Sequence, residues 1–90
     1  METKNVGIVG CGIMGAGIAH VCAQSGHQVL VSEINNELLN KGLASIHSFL
    51  TRGVERAKIS QRDKEAILSR IKGTTNIQGF RDCDIVIEAA

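Results

Sequence analysis

Three glycines near the start of the chain follow the spacing Gly-x-Gly-x-x-Gly, in the segment Gly10-Cys11-Gly12-Ile13-Met14-Gly15. The apolar residues 6–9 before this segment predict a short buried strand. The residues after it predict a helix from about 15 to 25, with Gly26 as its C-terminal cap. Because few local patterns require glycine at fixed positions between a strand and a helix, this segment constrains the fold more than any other.

Three further segments predict strands. Residues 29–31 are apolar, residues 73–75 give a weak signal, and residues 84–89 contain the continuous apolar run 85–87. The predicted order is therefore β-α-β-α-α-β-β. Strands that alternate with helices indicate an α/β fold, here a Rossmann-type parallel sheet with flanking helices and right-handed crossovers.

The helices are predicted from their caps and from apolar spacing. Asn35 or Asn36 can cap the second helix, and the segment from Ser60 to Asp63 resembles a capping box that starts a third helix ending near Ile71. We expect apolar side chains of the first two helices to face the sheet. These are Met14, Ile18, Val21 and Cys22 in the first helix, and Leu39, Leu43, Ile46, Leu50 and Val54 in the second.

The fourth predicted strand is the last element before the chain stops at Ala90. Such an apolar strand normally has a neighbouring strand and a covering helix. We therefore expect residues 1–90 to be the N-terminal part of a larger domain, apparently truncated after the fourth strand. The alternative is a small protein that exposes this edge.

Each glycine of the motif has a physical role in binding a dinucleotide. Gly10 permits the tight turn, Gly12 lets backbone approach a pyrophosphate, and Gly15 allows the helix to pack closely on the strand. The N–H groups and the positive end of the helix dipole then face the phosphate charge. The alternative is a structural turn that binds no ligand.

The second predicted strand ends at an acidic residue. Glu33 lies 18 residues after Gly15, where a carboxylate can accept hydrogen bonds from the ribose hydroxyls of the adenosine. The same charge would repel the 2′-phosphate of NADP, and the nearby sequence contains no arginine to bind that phosphate. The motif and Glu33 together predict NAD as the cofactor, although a solvated acid after a strand remains the alternative.

Composition argues against several other classes of protein. The net charge is only +1 and the chain has no Trp or Tyr, which disfavours nucleic acid as a partner. No apolar run approaches the length of a membrane span. The three cysteines form no Cys-x-x-Cys motif, and the spacing of His20, Cys22 and His27 fits no common metal site. We therefore expect a cytoplasmic protein with no metal.

With these motifs in place, the chain resembles the L-3-hydroxyacyl-CoA dehydrogenase family, and within it the bacterial 3-hydroxybutyryl-CoA dehydrogenases. The likeness is carried by residues 10–19, 26–29, 58–60, 67–71 and 82–90. The later segments are more specific than the glycine motif. The resemblance implies a dehydrogenase that uses NAD to oxidise the 3-hydroxyl group of a short-chain acyl-CoA or to reduce the 3-keto group.

The resemblance also implies roles for individual residues. Ile13 and Met14 would lie against the cofactor, Glu33 would bind the ribose, and Ala89 would line the nicotinamide side. The catalytic histidine of the family and its partners lie beyond residue 90, so we expect no catalytic residue in this chain. The helical C-terminal domain, through which the family dimerises, is likewise absent from residues 1–90.

Two arginines suggest a second site. Arg52 and Arg56 are four residues apart, so on a helix they project from one face, where two guanidinium groups can grip a phosphate. Similar family members carry basic residues here that contact CoA, so we expect this pair to bind the acyl-CoA substrate. Lys58 is a weaker candidate, and an ordinary solvated basic face is the alternative.

Two competing functions stay open from the sequence. Other NAD-dependent dehydrogenases, such as those acting on β-hydroxyacids or sugar acids, begin with a similar strand, glycine turn and helix. The long helical segment 40–70 argues against them. The other candidate is a stand-alone module that binds NAD or forms an interface through the edge of residues 85–87.

Overall fold

The computed structural model describes residues 3–89 and contains one four-stranded sheet. The strands are β1 (Asn5–Val9), β2 (Gln28–Ser32), β3 (Ile71–Thr74) and β4 (Ile85–Glu88). Their spatial order is β3-β2-β1-β4, and every neighbouring pair is parallel. This confirms the predicted Rossmann-type parallel sheet.

Three helices and one 3₁₀ helix connect the strands. They are α1 (Ile13–Gln24), α2 (Asn36–Glu55), α3 (Gln61–Ser69) and the 3₁₀ helix Ile77–Asp82. The 3₁₀ helix was not predicted from the sequence, and the third strand was expected at residues 73–75. The strand begins earlier, at Ile71, because Ile71 pairs with Val29 of β2 and its side chain packs against the core.

The two faces of the sheet are covered differently. Alternate strand residues Val6, Ile8, Val29 and Val31 are buried on the face that packs against α1, α2 and α3. On the opposite face, the 3₁₀ helix brings Phe80 and Cys83 so close to Gly7 that a Cβ at Gly7 would lie 3.0 Å from the Cys83 Sγ. The main core therefore lies between the sheet and the three helices.

The apolar face predicted for α1 is wrong. The buried residues of α1 are Gly15, Ala16, Ala19 and Ala23, whereas Met14 is 67% and Val21 is 59% exposed. Ile18 and Cys22 are only partly buried against the core. The inward face consists of small residues because α1 packs so close to the strand and turn that larger side chains have no space.

Two predictions for α2 are confirmed, the cap residue at its N-terminus and the apolar stripe that faces the core. The Asn35 side chain accepts a hydrogen bond from the Leu38 N–H at 2.8 Å and caps the helix. Leu39, Ile46 and Leu50 are buried, while Leu43 and Val54 are half-buried. The capping box of α3 is also present, since Ser60 and Asp63 exchange hydrogen bonds of 3.0 and 3.1 Å.

The C-termini of α1 and α2 end in the same hydrogen-bond pattern with different residues. Gly26 follows α1 with a φ of 99°, and the N–H groups of Gly26 and His27 donate to the carbonyls of Ala23 and Cys22. After α2, the residue in the left-handed conformation is Ala57, with a φ of 57°. Gly26 thus serves as predicted, whereas Ala57 holds a conformation that glycine adopts at lower cost.

Candidate cofactor site at the carboxyl edge of the sheet

Three strands end at the same edge of the sheet, and the predicted cofactor residues follow them directly. The glycine turn follows β1, Glu33 follows β2, and Ala89 follows β4. The chain order reverses between β1 and β4, because β2 and β3 lie on one side of β1 and β4 on the other. In open α/β sheets, ligands bind in the crevice outside the strand ends at such a reversal.

The backbone of the glycine turn has the form that the motif predicts. Gly10 has a φ of 100°, and its N–H donates to the Ser32 carbonyl at 2.9 Å, which ties the turn to β2. A Cβ built on Gly15 would collide with the Gly10 carbonyl. A Cβ built on Gly12 would meet none of the described atoms within 4 Å. Gly10 and Gly15 are therefore required by the protein itself, whereas Gly12 faces open space that a ligand can fill.

The N-terminus of α1 offers unpaired donors at this open space. Gly12 is the N-cap residue; within residues 3–89 no side chain caps the first turn, which also lacks an acidic residue. The first backbone N–H groups of a helix have no partner within the helix, and its dipole is positive at that end. An anionic group such as a pyrophosphate fits this position by charge and by hydrogen bonding.

The Glu33 carboxylate is held beside the glycine turn. Its Oε2 accepts a hydrogen bond from the Cys11 N–H at 2.7 Å, and its Oε1 accepts one from the Ile34 N–H at 3.2 Å. The Glu33 N–H in turn donates to the Thr74 carbonyl. Each carboxylate oxygen can accept a further hydrogen bond, so Glu33 remains able to bind two ribose hydroxyls.

An open groove of about 230 Å³ runs along this edge. Glu33 and Gly10 line it together with the exposed apolar residues Ile34 and Ile77. A larger cavity of about 360 Å³ lies under the 3₁₀ helix, near Asn5 and Cys83. We place the cofactor site at the smaller groove, because the larger cavity contains no residue of the glycine turn and no uncapped helix terminus.

Cys11 contributes its backbone to the edge, while its side chain points inward. Only 2% of its surface is exposed, and burial together with the charge of Glu33 raises the pKa of the Cys11 thiol. A Cβ built on Gly42 of α2 would collide with the Cys11 carbonyl. Gly42 was not predicted as a contact residue, although its position between Leu39 and Ile46 on the apolar stripe of α2 marks it as buried.

The remaining predicted cofactor residues also lie at this edge. Ile13 is 98% exposed at the start of α1, next to Met14. The Ala89 N–H donates to the Val9 carbonyl at 2.9 Å, which places Ala89 beside the beginning of the glycine turn. The structure thus brings together all eight residues predicted at the cofactor: Gly10, Cys11, Gly12, Ile13, Met14, Gly15, Glu33 and Ala89.

The arginine pair lies elsewhere. Arg52 is in the last turn of α2 and Arg56 is its C-cap residue. Arg52 is 16 residues after Asn36, so it lies roughly 24 Å along the helix from the end near the glycine turn. Both arginines are exposed, and neither guanidinium is paired with another described side chain. The structure does not bring this pair together with the cofactor groove.

The fold, the glycine turn and the acid after β2 define a dinucleotide-binding domain of the Rossmann type. Residues 5–90 match the family model described as 3-hydroxyacyl-CoA dehydrogenase, NAD binding domain. The chain belongs to this family, and its cofactor is NAD.

Named relatives agree with this assignment. The chain is 39% identical to a 3-hydroxybutyryl-CoA dehydrogenase of Bradyrhizobium diazoefficiens over 97% of this chain and 30% of the relative. It is 40% identical to the 3-hydroxyadipyl-CoA dehydrogenase of Escherichia coli over 100% of this chain and 19% of the relative. The crystal structure of (S)-3-hydroxybutyryl-CoA dehydrogenase from Ralstonia eutropha superimposes with a TM-score of 0.95 at 43% identity, over 99% of this chain and 31% of that chain. The chain therefore spans less than a third of these relatives.

The helices are unsuited to crossing a bilayer. Across residues 3–89, none combines the length and the apolar character that a membrane span needs.

Proposed function

We propose that the glycine turn binds the pyrophosphate of NAD and that Glu33 binds the ribose of its adenosine. The observation that carries this proposal is the 2.7 Å hydrogen bond from the Cys11 N–H to the Glu33 carboxylate. It joins the two parts of the site, so that one rigid unit presents helix N–H groups to the phosphates and a carboxylate to the sugar. The open space at Gly12 and the uncapped start of α1 support the phosphate position.

The other residues at the edge receive roles in the same proposal. Ile13 and Met14 cover the cofactor on the α1 side, which gives a reason for two large apolar side chains to be exposed there. Ala89 lines the nicotinamide side, since it follows β4 directly beside the glycine turn. Its small side chain leaves space for the nicotinamide ring.

We propose that this domain serves a longer enzyme of the length of its relatives, with a helical domain after residue 90. That enzyme oxidises the 3-hydroxyl group of an acyl-CoA, or reduces the 3-keto group, with NAD as the hydride carrier. The supporting findings are the family match and the names of the relatives. Residues 1–90 bind and orient the cofactor, and the general base for the hydroxyl proton comes from beyond residue 90.

Arg52 and Arg56 bind phosphate groups of the CoA substrate in this proposal. They lie on one face of α2, are exposed, and have no carboxylate partner among the described residues, so their charge is available. Their separation from the cofactor groove is compatible with CoA, because a long pantetheine arm separates its phosphates from the reacting acyl group.

The proposal also covers the cellular compartment and the oligomeric state of the whole enzyme. We place the whole enzyme in the cytoplasm as a homodimer formed through its helical domain. The odd number of cysteines and the lack of a Cys-x-x-Cys motif in the sequence suit a reducing compartment. The near-neutral charge of the chain gives it no electrostatic attraction to nucleic acid.

Binding of NAD and NADP to wild type, Glu33→Ala and Glu33→Gln tests the cofactor proposal. Because hydrogen bonds to a charged group contribute about 1.5–3 kcal/mol, Glu33→Ala should bind NAD at least about tenfold more weakly. Glu33→Gln keeps an acceptor for the Cys11 N–H but loses the charge, so it should discriminate less against NADP. Titration calorimetry measures both dissociation constants.

A matched control for this experiment is Glu65→Ala, which removes an exposed carboxylate on α3 and should leave both affinities unchanged. A wild-type preference for NADP, or undiminished NAD binding by Glu33→Ala, would refute the assignment of Glu33.

A further inference from the structure

Arg70 ends α3, and its side chain reaches across to another helix. It is the C-cap residue of α3 and is followed directly by β3. Its Nη1 donates a hydrogen bond of 2.8 Å to the carbonyl of Ala23, in the last turn of α1. Within residues 3–89 this carbonyl is the only polar partner of the guanidinium, and Ala23 itself is fully buried. Arg70 therefore directs its charge at one carbonyl at the end of α1.

The backbone of Arg70 is bound to a second element that leads to the proposed cofactor site. Its carbonyl accepts a hydrogen bond of 2.8 Å from the Val29 N–H, near the start of β2. The other end of β2 leads to Glu33, and the other end of α1 borders the glycine turn. Arg70 thus connects α1 to β2 at the amino edge of the sheet, as the hydrogen bond from the Cys11 N–H to Glu33 connects them at the carboxyl edge.

The packing of α1 explains why its position needs such a connection. Small side chains interdigitate little with their neighbours, so they resist a shift along the helix axis less than large side chains do. At the N-terminal end, the contact between Gly15 and the Gly10 carbonyl prevents a closer approach but does not prevent withdrawal. A directed hydrogen bond at the C-terminal end restricts this remaining freedom. The buried residues of α1 are Gly15, Ala16, Ala19 and Ala23.

The charge of Arg70 suits the end of the helix that it binds. The C-terminus carries the negative end of the helix dipole, and the last turn of α1 has no basic residue of its own. The first turn has no acidic residue, and the proposed pyrophosphate supplies a negative charge there. Over its 12 residues, α1 spans roughly 18 Å. The helix therefore lies between a cation from α3 and the anion of the cofactor.

We propose that Arg70 is a positioning residue for NAD. By holding the C-terminus of α1 to α3 and β2, it fixes the first N–H groups of α1 relative to Glu33, so that both parts of the site meet the same cofactor molecule. This inference rests on the proposed function, in which NAD binds at the glycine turn and at Glu33. Arg70 does not touch the cofactor, because it lies at the opposite end of α1.

Titration of Arg70 variants of the 90-residue chain with NAD tests this proposal. Arg70→Met keeps an unbranched apolar side chain but has no donor. It should bind NAD about threefold or more weakly than wild type, within the range for residues that act on a ligand without touching it. Arg70→Lys keeps a cationic donor and should recover most of the affinity, and Arg70→Gln, with a neutral donor, should fall between the two. Titration calorimetry measures the dissociation constants.

A second probe and a control separate positioning from a general loss of stability. Adenosine lacks the pyrophosphate and meets only the Glu33 side of the site, so its binding, followed by NMR titration, should be the same in all Arg70 variants. Ser60→Ala removes the N-cap of α3, whose side-chain hydrogen bonds stay within that helix. It should lower the urea midpoint as Arg70→Met does, yet bind NAD like wild type. Urea unfolding verifies that each variant is folded before titration.

The outcomes distinguish this inference from the cofactor proposal. If wild type binds no NAD, both are overturned. If wild type binds NAD and Arg70→Met and Arg70→Gln bind it equally well, only the positioning role is overturned. The same conclusion follows if adenosine and NAD are weakened by the same factor, or if Ser60→Ala weakens NAD binding as much as Arg70→Met does. If Arg70→Met does not fold, the comparison of wild type with Arg70→Gln and Arg70→Lys decides.

Discussion

Helices α1 and α2 cover the same face of the sheet but pack by opposite means. The buried residues of α1 are glycine and alanine, so its backbone approaches the sheet and the glycine turn directly. Along α2, three large side chains, Leu39, Ile46 and Leu50, fill the space to the core, and Gly42 is a point of close backbone approach. The approach of α1 is the one that the proposed cofactor site needs, because it brings the helix N-terminus to the place where we propose that the pyrophosphate binds.

The two kinds of packing predict which substitutions each helix tolerates. Adding an atom to an inward face without large side chains destabilises the protein by overpacking. Removing atoms from a face of large side chains destabilises it by leaving a cavity. We therefore expect changes at the N-terminus of α1 to affect both stability and cofactor binding, because it borders the proposed cofactor site, and changes in the middle of α2 to affect stability.

The largest expected effect is the loss of a large side chain from α2. Leu50 is 1% exposed, so Leu50→Ala should lower the free energy of unfolding by about 2–5 kcal/mol through lost burial and a residual cavity. Urea denaturation measures this change. Leu38→Ala, on the exposed side of the same helix, is the control and should cost much less. Equal losses in the two variants would contradict the assigned packing of α2.

The next effect comes from adding one methyl group to α1. Gly15→Ala should lower the free energy of unfolding by about 1–3 kcal/mol, because its Cβ collides with the Gly10 carbonyl. It should also weaken NAD binding, since relief of the collision displaces the glycine turn. Chemical denaturation and titration with NAD check the two effects separately.

The control for Gly15→Ala lies two residues further along the same helix. A Cβ at Gly17 would meet no described atom within 4 Å, so Gly17→Ala should raise the free energy of unfolding by about 0.5–1 kcal/mol through helix propensity alone. If Gly15→Ala stabilises the protein as Gly17→Ala does, that result would contradict the close packing of α1 against the glycine turn.

The smallest effect concerns the ends of the two helices. Ala57 holds after α2 the left-handed conformation that Gly26 holds after α1. Ala57→Gly should therefore raise the free energy of unfolding by roughly 1 kcal/mol, and Gly26→Ala should lower it by a similar amount. Shifts of the urea midpoint in opposite directions would confirm that both helices end with a residue in the left-handed conformation. Shifts of the same sign would contradict it.

The parts of the fold that depend on local spacing were predictable. The glycine turn, the Asn35 cap and the Ser60–Asp63 capping box each require particular residue types a few positions apart. The stripe of α2 was predictable because it is built from large apolar residues. The inward face of α1 was not, since a search for large apolar residues selects Met14 and Val21, which α1 exposes.

Some residues of the candidate site were likewise predictable from local spacing, and others were not. Glu33 was found from its distance to the glycine motif, and the structure adds its hydrogen bond to the Cys11 N–H. Gly42 was missed because its partner, Cys11, lies 31 residues earlier in the chain; the apolar stripe of α2 marks Gly42 as buried but does not identify the segment that it contacts.

The amino-acid pattern alone was enough to specify the order of the strands and α-helices, the glycine turn and the acid that follows β2. These features depend on residues that are close in the chain, where backbone sterics and hydrogen bonding act directly. Folding in three dimensions settled which side of α1 is buried, which glycines are required by contact, and that the arginine pair lies far from the cofactor groove. Those outcomes depend on packing between segments that are distant in the chain, and no local pattern encodes such distances.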